Sequence, residues 1–549
     1  MSLKIIFAQL SALAVSVMDS KFKTDAHIHP KNTIAIGSFL SANANPTWHL
    51  PAICGEGDIN ALFRFNGIWH LMQQTNPRPH RSIAHSVSPD LLSWSRIADV
   101  FEAGDNQNQQ CFDGSPSFVT LDGSRTPFLM MDGGCSKYQG GTLPCMESLG
   151  NGSTGGVTAI PVDLSDKNLT KWNRRGPTTF EGCQGAAGPS PIFEGGRNNS
   201  VLSFVAIFNN VTARFEAKDD TLTNFKLVDP YFLPNRGGGG GLWHPLPANV
   251  EGVEGGRWAS HIFQTDIPGT DGRPSFLLAA LDRERLVNTR ITPPMLLDVG
   301  RGVAYGQLNL EGGPETHDTR MIHISWLDRA DAFGRSPCTE PQTTSFREVR
   351  YDPRLGENGS LVENPVAEYY DLRGDLISKA IGALGPDLKV IAILNDSTTY
   401  LYDFEANFFI PSDVETQLRL ELNCEAVGAC DNGTVVLFTV TNNDLFAERS
   451  RNISMDITTP HEKVRTNFPL FASETKLLFR AMSDRNSIEI FAGGGRGVYS
   501  GINYHRQKNS FISANSSSED VDIQCQVWKL SPIEYDDTRL LRSQANGSS

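Results

Sequence analysis

Asp484-Arg485-Asn486-Ser487-Ile488-Glu489-Ile490-Phe491-Ala492 sets a polar, turn-forming trio ahead of an apolar run of strand length, and a run of the same kind, 476–482, precedes it. Asp and Asn favour turns because their short side chains bond nearby backbone groups, while β-branched and aromatic residues suit a pleated, half-buried surface. Upstream, 389–394 and 434–441 repeat the pattern, with Asp431-Asn432-Gly433 as a hairpin signal. Residues 366–535 are therefore spaced as a β-sandwich.

The preceding region is also built from strands. Runs at 67–72, 126–131, 201–208, 275–281 and 321–327 lie between Gly-, Pro- and Asn-rich turns, without a sustained helical period. A content of 50 Gly, 31 Pro and 30 Phe in 549 residues favours short strands and tight turns over long helices. The tract Gly237 to Gly241 reads as a flexible loop, and Leu242-Trp243-His244-Pro245 as a return to order. Residues 346–365 end in the Pro-flanked Leu361-Val362-Glu363-Asn364-Pro365 and read as a connector, and the polar tail after Tyr535 as frayed. The expected chain is all-β and has two domains, a first over 45–345 and the sandwich over 366–535.

With 39% hydrophobic and 20% charged residues the chain buries a large core. The balance of 48 Lys+Arg against 62 Asp+Glu, net −14, repels phosphate backbones and argues against a nucleic-acid partner. Lys4 followed by an apolar run over 5–17 resembles a secretory signal spanning 1–20, and the run is shorter than the ~20 residues of a spanning helix. Ten Asn-x-Ser/Thr acceptors, from Asn151 to Asn546, fit a glycosylated protein of the secretory route, extracellular or vacuolar. The nine Cys include no Cys-x-x-Cys pair, which gives no support to a zinc or thioredoxin-type site. Cys135/Cys145 and Cys424/Cys430 are near enough to close small loops; the pairing stays open, and an odd count leaves at least one Cys unpaired.

Five segments stand out between Trp48 and Leu530: Gly57-Asp58-Ile59-Asn60-Ala61 with Trp69 and Gln74 beyond; His85-Ser86-Val87-Ser88-Pro89-Asp90-Leu91 with Trp94; Phe112-Asp113-Gly114-Ser115; Leu297-Asp298-Val299-Gly300 with Arg320 and Trp326; and the opening stretch at Asp484. In this order they resemble glycoside hydrolase family 32, the invertases and fructan hydrolases. The bridge Ser345-Phe346-Arg347-Glu348 is similar to the family's as well. The resemblance implies a five-bladed β-propeller before the sandwich. It makes Asp58 the nucleophile and places Asn60, Trp69, Gln74, Phe112, Asp113 and Ser115 at the sugar. Read without the resemblance, Asp58 is an ordinary Asx turn, and Trp69 and Phe112 are equally well read as core. Glu489 reads as structural.

A retaining glycosidase needs two carboxyl groups about 5 to 5.5 Å apart, one to attack the anomeric carbon and one to protonate the leaving oxygen. The chain departs from the family here: Gly188, in Ala187-Gly188-Pro189, stands where the family has its stabilising Asp, and His244 stands where it has its acid/base Glu. His titrates near neutrality and can serve as an acid, and Glu251 and Glu254 follow closely. The sequence thus supports hydrolysis of terminal β-fructofuranosides in sucrose or a fructan, with a non-catalytic sugar-binding protein on the same fold as the alternative. The chemistry calls for no cofactor or metal.

Overall fold

Two hairpins show how the sequence sets its own register. Asn66 (φ +49°) with Gly67 (φ +80°), and Asp122 (φ +51°) with Gly123 (φ +77°), take the left-handed backbone of two-residue turns, whose twist matches that of the strands they join. The computed structural model describes residues 48–50, 59–75, 82–100, 110–134, 156–181, 186–189, 193–194, 201–207, 211–218, 221–234, 242–245, 257–263, 275–281, 288–291, 295–300, 303–308, 320–327, 342–356, 359–395, 401–442, 451–484, 487–502 and 510–537.

The first blade is the meander β1 (Ile59–Phe65), β2 (Ile68–Thr75), β3 (Ser82–Ser88) and β4 (Ser93–Arg96). The second is β5 (Gln110–Leu121), β6 (Ser124–Gly134), β7 (Gly156–Pro161) and β8 (Trp172–Glu181). In the third, the short β9 (Ala186–Pro189) and β10 (Phe193–Glu194) both pair with β11 (Val201–Ile207), followed by β12 (Val211–Ala217) and β13 (Asn224–Pro234). β13 also runs parallel to β8, which makes the second and third blades one continuous sheet. The fourth is β14 (Leu242–Pro245), β15 (Arg257–Phe263), β16 (Ser275–Leu281) and, both on β16, β17 (Asn288–Ile291) and β18 (Met295–Leu296). The fifth is β19 (Val303–Leu308), β20 (Met321–Leu327), β21 (Gln342–Thr343), β22 (Arg347–Asp352) and β23 (Ser360–Pro365). β1 lies against both β5 and β19, so the first strands gather around one axis and the ring closes.

Residues 346–365, expected as a connector, are therefore two strands of the last blade. Buried Arg347 and Glu363 face a polar network, so the strands lack the plain apolar alternation that marks a half-buried strand. After a 3-10 turn, Ala367–Leu372, the sandwich begins. One sheet has the order β24 (Arg373–Ala383), β35 (Asp522–Leu530), β26 (Tyr402–Phe409), β31 (Lys476–Ser483), β32 (Ser487–Ala492), β33 (Gly497–Ile502). The other has β25 (Lys389–Leu394), β34 (Ser510–Ser516), β27 (Thr416–Cys424), β28 (Thr434–Asn442), β29 (Arg451–Thr458), β30 (Lys463–Leu470). Between them Phe404, Phe438, Phe479, Leu420 and Ile453 form a dry core, with Phe438 edge-on to Phe479 at 5.9 Å. β36 (Glu534–Asp537) then returns to the propeller, parallel to β4. The fold is a five-bladed propeller followed by a sandwich.

Asp431-Asn432-Gly433 is not a two-residue hairpin. It ends a longer loop between β27 and β28 that the Cys424–Cys430 disulfide closes. Cys525 is a free, buried thiol. Cys135 and Cys145, and the 1–20 signal-like segment, lie outside the described residues. Of the acceptor asparagines described, Asn168, Asn395 and Asn432 are exposed, and Asn452 and Asn515 half-buried.

Candidate functional site

The expected site residues fall mainly on the innermost strands. Asn60 is the second residue of β1 and fully buried, beside a register shift between Ile59 and Ala61. Phe112 and Asp113 sit at a bulge of β5 between Cys111 and Gly114, and Ser115 opposes Met130; bulges re-aim side chains at sheet edges and rims. Gly188 falls at a register shift of β9 against β11, and His244 lies on β14 opposite Ser260. Gln74 is one strand out, on β2 opposite Ile83. Asp58, Glu251 and Glu254 lie outside the described residues. The topology thus brings positions 60, 112–115, 188 and 244 to inner strands of four blades.

Trp69 is placed in packing. It is 2% exposed, in a cluster with Trp48, Leu71 and Trp94, and the Arg64 guanidinium lies 5.5 Å from its ring centre. The segment around His85 is structural too. Asp90 accepts the backbone N–H groups of Leu92 (2.9 Å) and Ser93 (2.7 Å), fixing the turn in which Leu91 takes φ +67°. Trp94 donates its indole N–H to Leu91 O (2.8 Å) and stacks on Phe346 of the fifth blade. His85 Nε2 lies 2.9 Å from His70 Nδ1 within the core of the blade. Burial pushes the pKa of His70 well down, and that of His85 to about 3.

Three other family-like segments meet in a buried charge cluster where propeller and sandwich join. Arg347, fully buried, donates to Asp298 (2.9 Å), Glu363 (3.1 Å), Glu489 (3.0 Å) and the Ser500 hydroxyl. Asp298 also accepts from Gly300 N (2.8 Å) and Ser500 N (2.9 Å). Gly300 is required there because a Cβ would fall 1.8 Å from Ser500 O. Glu489 accepts from Ser345 N (2.7 Å) and Ser345 Oγ (2.5 Å). His323 Nδ1 stands 2.6 Å from Glu363. His49 links Asp484 (2.8 Å) to Glu489 (3.0 Å). Burial alone would raise the Glu489 pKa, but Arg347 and His49 outweigh it and hold it at about 2. For His49, burial works downward and the two carboxylates overcome it, so its pKa is raised. Glu489 is structural, as read from the sequence. His49 and its role gave no sequence signal, because its partners lie 435 and 440 positions away.

A separate cleft of about 390 Å³ between the last blade and the sandwich is lined by Glu348, Arg350, Tyr370, Glu405, Asn407 and Arg480, away from the inner strands. Among the described residues no cluster of His, Cys, Asp and Glu is arranged to hold a metal, and no helix is long and apolar enough to cross a membrane.

A ring of five blades with the expected site positions on its inner strands, joined to a sandwich through a buried salt cluster, defines the class of propeller-plus-sandwich proteins. Residues 370–529 match the family model described as "Glycosyl hydrolases family 32 C terminal", so the resemblance read from the sequence holds over the sandwich, where the segment Asp484 to Ala492 lies. A levanase from Bacillus sp. (strain L7) is 23% identical over 496 residues, 85% of this chain and 50% of the relative. The chain spans about half the length of that relative. Among solved structures, fructan 1-exohydrolase IIa from Cichorium intybus aligns with a TM-score of 0.70 at 16% identity, over 90% of this chain and 98% of that one. Exo-inulinase from Aspergillus awamori gives 0.64 at 16%, over 89% and 100%, and the Bombyx mori GH32 beta-fructofuranosidase 0.62 at 15%, over 91% and 98%. These likenesses establish the fold.

Proposed function

We propose that the chain is a fructosidase-type glycoside hydrolase acting on terminal β-fructofuranosides of sucrose or a fructan, with Asp58 as nucleophile. The observation that carries this is topological: Asp58 directly precedes the innermost strand of the first blade, and positions 112–115, 188 and 244 lie on inner strands of the next three. In a retaining reaction the Asp58 carboxylate attacks the anomeric carbon and the glycosidic C–O bond breaks. Its electrons pass to the leaving oxygen, which takes a proton from the acid; water then releases fructose and returns the carboxylate. His244, Glu251 and Glu254 are the candidates for the acid. Gln74, Asp113 and Ser115 supply hydrogen bonds for hydroxyls and Phe112 an apolar face, whereas Asn60, fully buried, has no surface to offer a sugar. Solved relatives are described with 1-kestose, fructose and fructosylnystose, which supports a fructose-based ligand. The exposed acceptor asparagines support a glycosylated protein of the secretory route.

The test is fructose release from sucrose and inulin over about pH 4 to 7, where carboxylates and His titrate. The wild type is expected to be active, and Asp58→Asn inert. Replacing the true acid among His244, Glu251 and Glu254 is expected to cost ~10²–10⁴ in rate. The presence of Gly188 and His244 at the family's acidic positions favours one second reading, a sugar-binding protein. A wild type that binds inulin but releases nothing establishes that reading instead.

A further inference from the structure

We propose that His49 is held as an imidazolium and serves as a proton-controlled clasp tying the chain that enters the propeller to the sandwich. Both ring nitrogens of His49 face carboxylate oxygens, Nδ1 to Asp484 at 2.8 Å and Nε2 to Glu489 at 3.0 Å, and the ring is fully buried. A neutral imidazole carries one N–H, so one of these contacts would set lone pair against lone pair. The missing proton has no better place than the ring. Asp484 Oδ1 already accepts from Ser487 N (2.7 Å) and Oγ (3.0 Å), and Glu489 accepts from Ser345 and Arg347, so donors surround both carboxylates.

Charge balance leads to the same state. The elements around His49 bring Asp484 and Glu489 from the sandwich, Arg347, Glu363 and His323 from the last blade, and Asp298 from the segment before β19. Tyr369 lies edge-on to Trp48, whose ring is tilted 32° against that of His49 with centres 3.6 Å apart, and Arg480 acts on Tyr369 from beyond. Among the described residues, four buried carboxylates face one obligate cation, Arg347. Without the His49 proton, the ring would donate to only one of Asp484 and Glu489 and turn a lone pair on the other in a dry site, which is costly. The raised pKa of His49 agrees with this.

What the clasp holds is the chain at 48–50. Leu50 is buried, its carbonyl accepts from Thr343 N (3.5 Å), and Trp48 and Leu50 pack with β1 and β4. Docking of this segment on the sandwich is thus strongest in acid. A His whose pKa is raised on folding contributes fully below its unfolded value, about 6.5, and the contribution is lost as the pH rises through the folded pKa. His70 and His85 have lowered pKa values and cost stability only in acid, and the buried Cys525 thiol, pushed up to about 11, acts only above about pH 9.

The experiment is thermal unfolding of the full chain between pH 6 and 8.5, for the wild type and His49→Gln. The wild-type midpoint is expected to fall by about 1 °C for each pKa unit by which folding raises His49, and the variant to lack that fall. Equal slopes overturn the proposal. If the variant does not fold, histidine C2-hydrogen exchange followed by mass spectrometry on the wild type decides it. A His49 titration midpoint above 7 supports the clasp, and one at or below 6.5 refutes it. Neither readout needs catalytic activity, so the outcome stands apart from the fructosidase reading.

Discussion

Arg347 carries more of the interface than any neighbour because its planar fork meets three carboxylates and a hydroxyl at once. Replacing it with Met leaves Asp298, Glu363 and Glu489 facing one another without their cation. Removing one partner of a buried ion pair costs about 3–5 kcal/mol, so the urea midpoint of Arg347→Met is expected to drop by that equivalent. Arg347→Lys is expected to restore little, since an ammonium is a point charge without the fork. At this scale the sequence was partly legible. Asp484, Glu489, Asp298 and Arg347 each stood in a segment resembling the family, yet nothing in any one segment says that they touch. Contact of His49 with Asp484 is a property of propeller and sandwich assembled together. Trp69 shows the opposite difficulty: an aromatic in a strand run reads equally well as sugar platform or as core, and burial decides for packing.

Among the elements, strand runs were the most readable feature because alternation and turn chemistry are local. The runs at 275–281, 321–327 and 389–394 coincide with β16, β20 and β25. Reading failed where polar side chains are buried by distant partners, as in β22 and β23, and where a loop is held covalently. The Cys424–Cys430 bond spans a separation of six residues and shortens the effective loop between β27 and β28. Closing so small a loop removes about 2 kcal/mol of chain entropy from the unfolded state. Cys430→Ser is therefore expected to lower stability by about 2 kcal/mol in urea under oxidising conditions. The variant and the wild type are expected to unfold alike once reductant is added.

For the whole molecule, the propeller is finished by residues from the far side of the sandwich. Tyr535 pairs with Trp94, Glu534 N donates to Leu92 O (3.0 Å), and Ile533 joins the cluster of Trp48 and Trp94. Ending the chain after Leu530 removes these contacts and bares the β4 edge. Limited proteolysis of that truncation is expected to cut first within 82–100, with the sandwich surviving longer; protection equal to that of the full chain counts against the role of β36. The same return strand matters while the chain is being made. β4 leaves the ribosome some 440 residues ahead of β36, an interval of roughly 20 to 90 s at ordinary synthesis rates. Through that time the first blade waits with an open edge, a natural place for a chaperone to bind and for neighbouring nascent chains to pair wrongly.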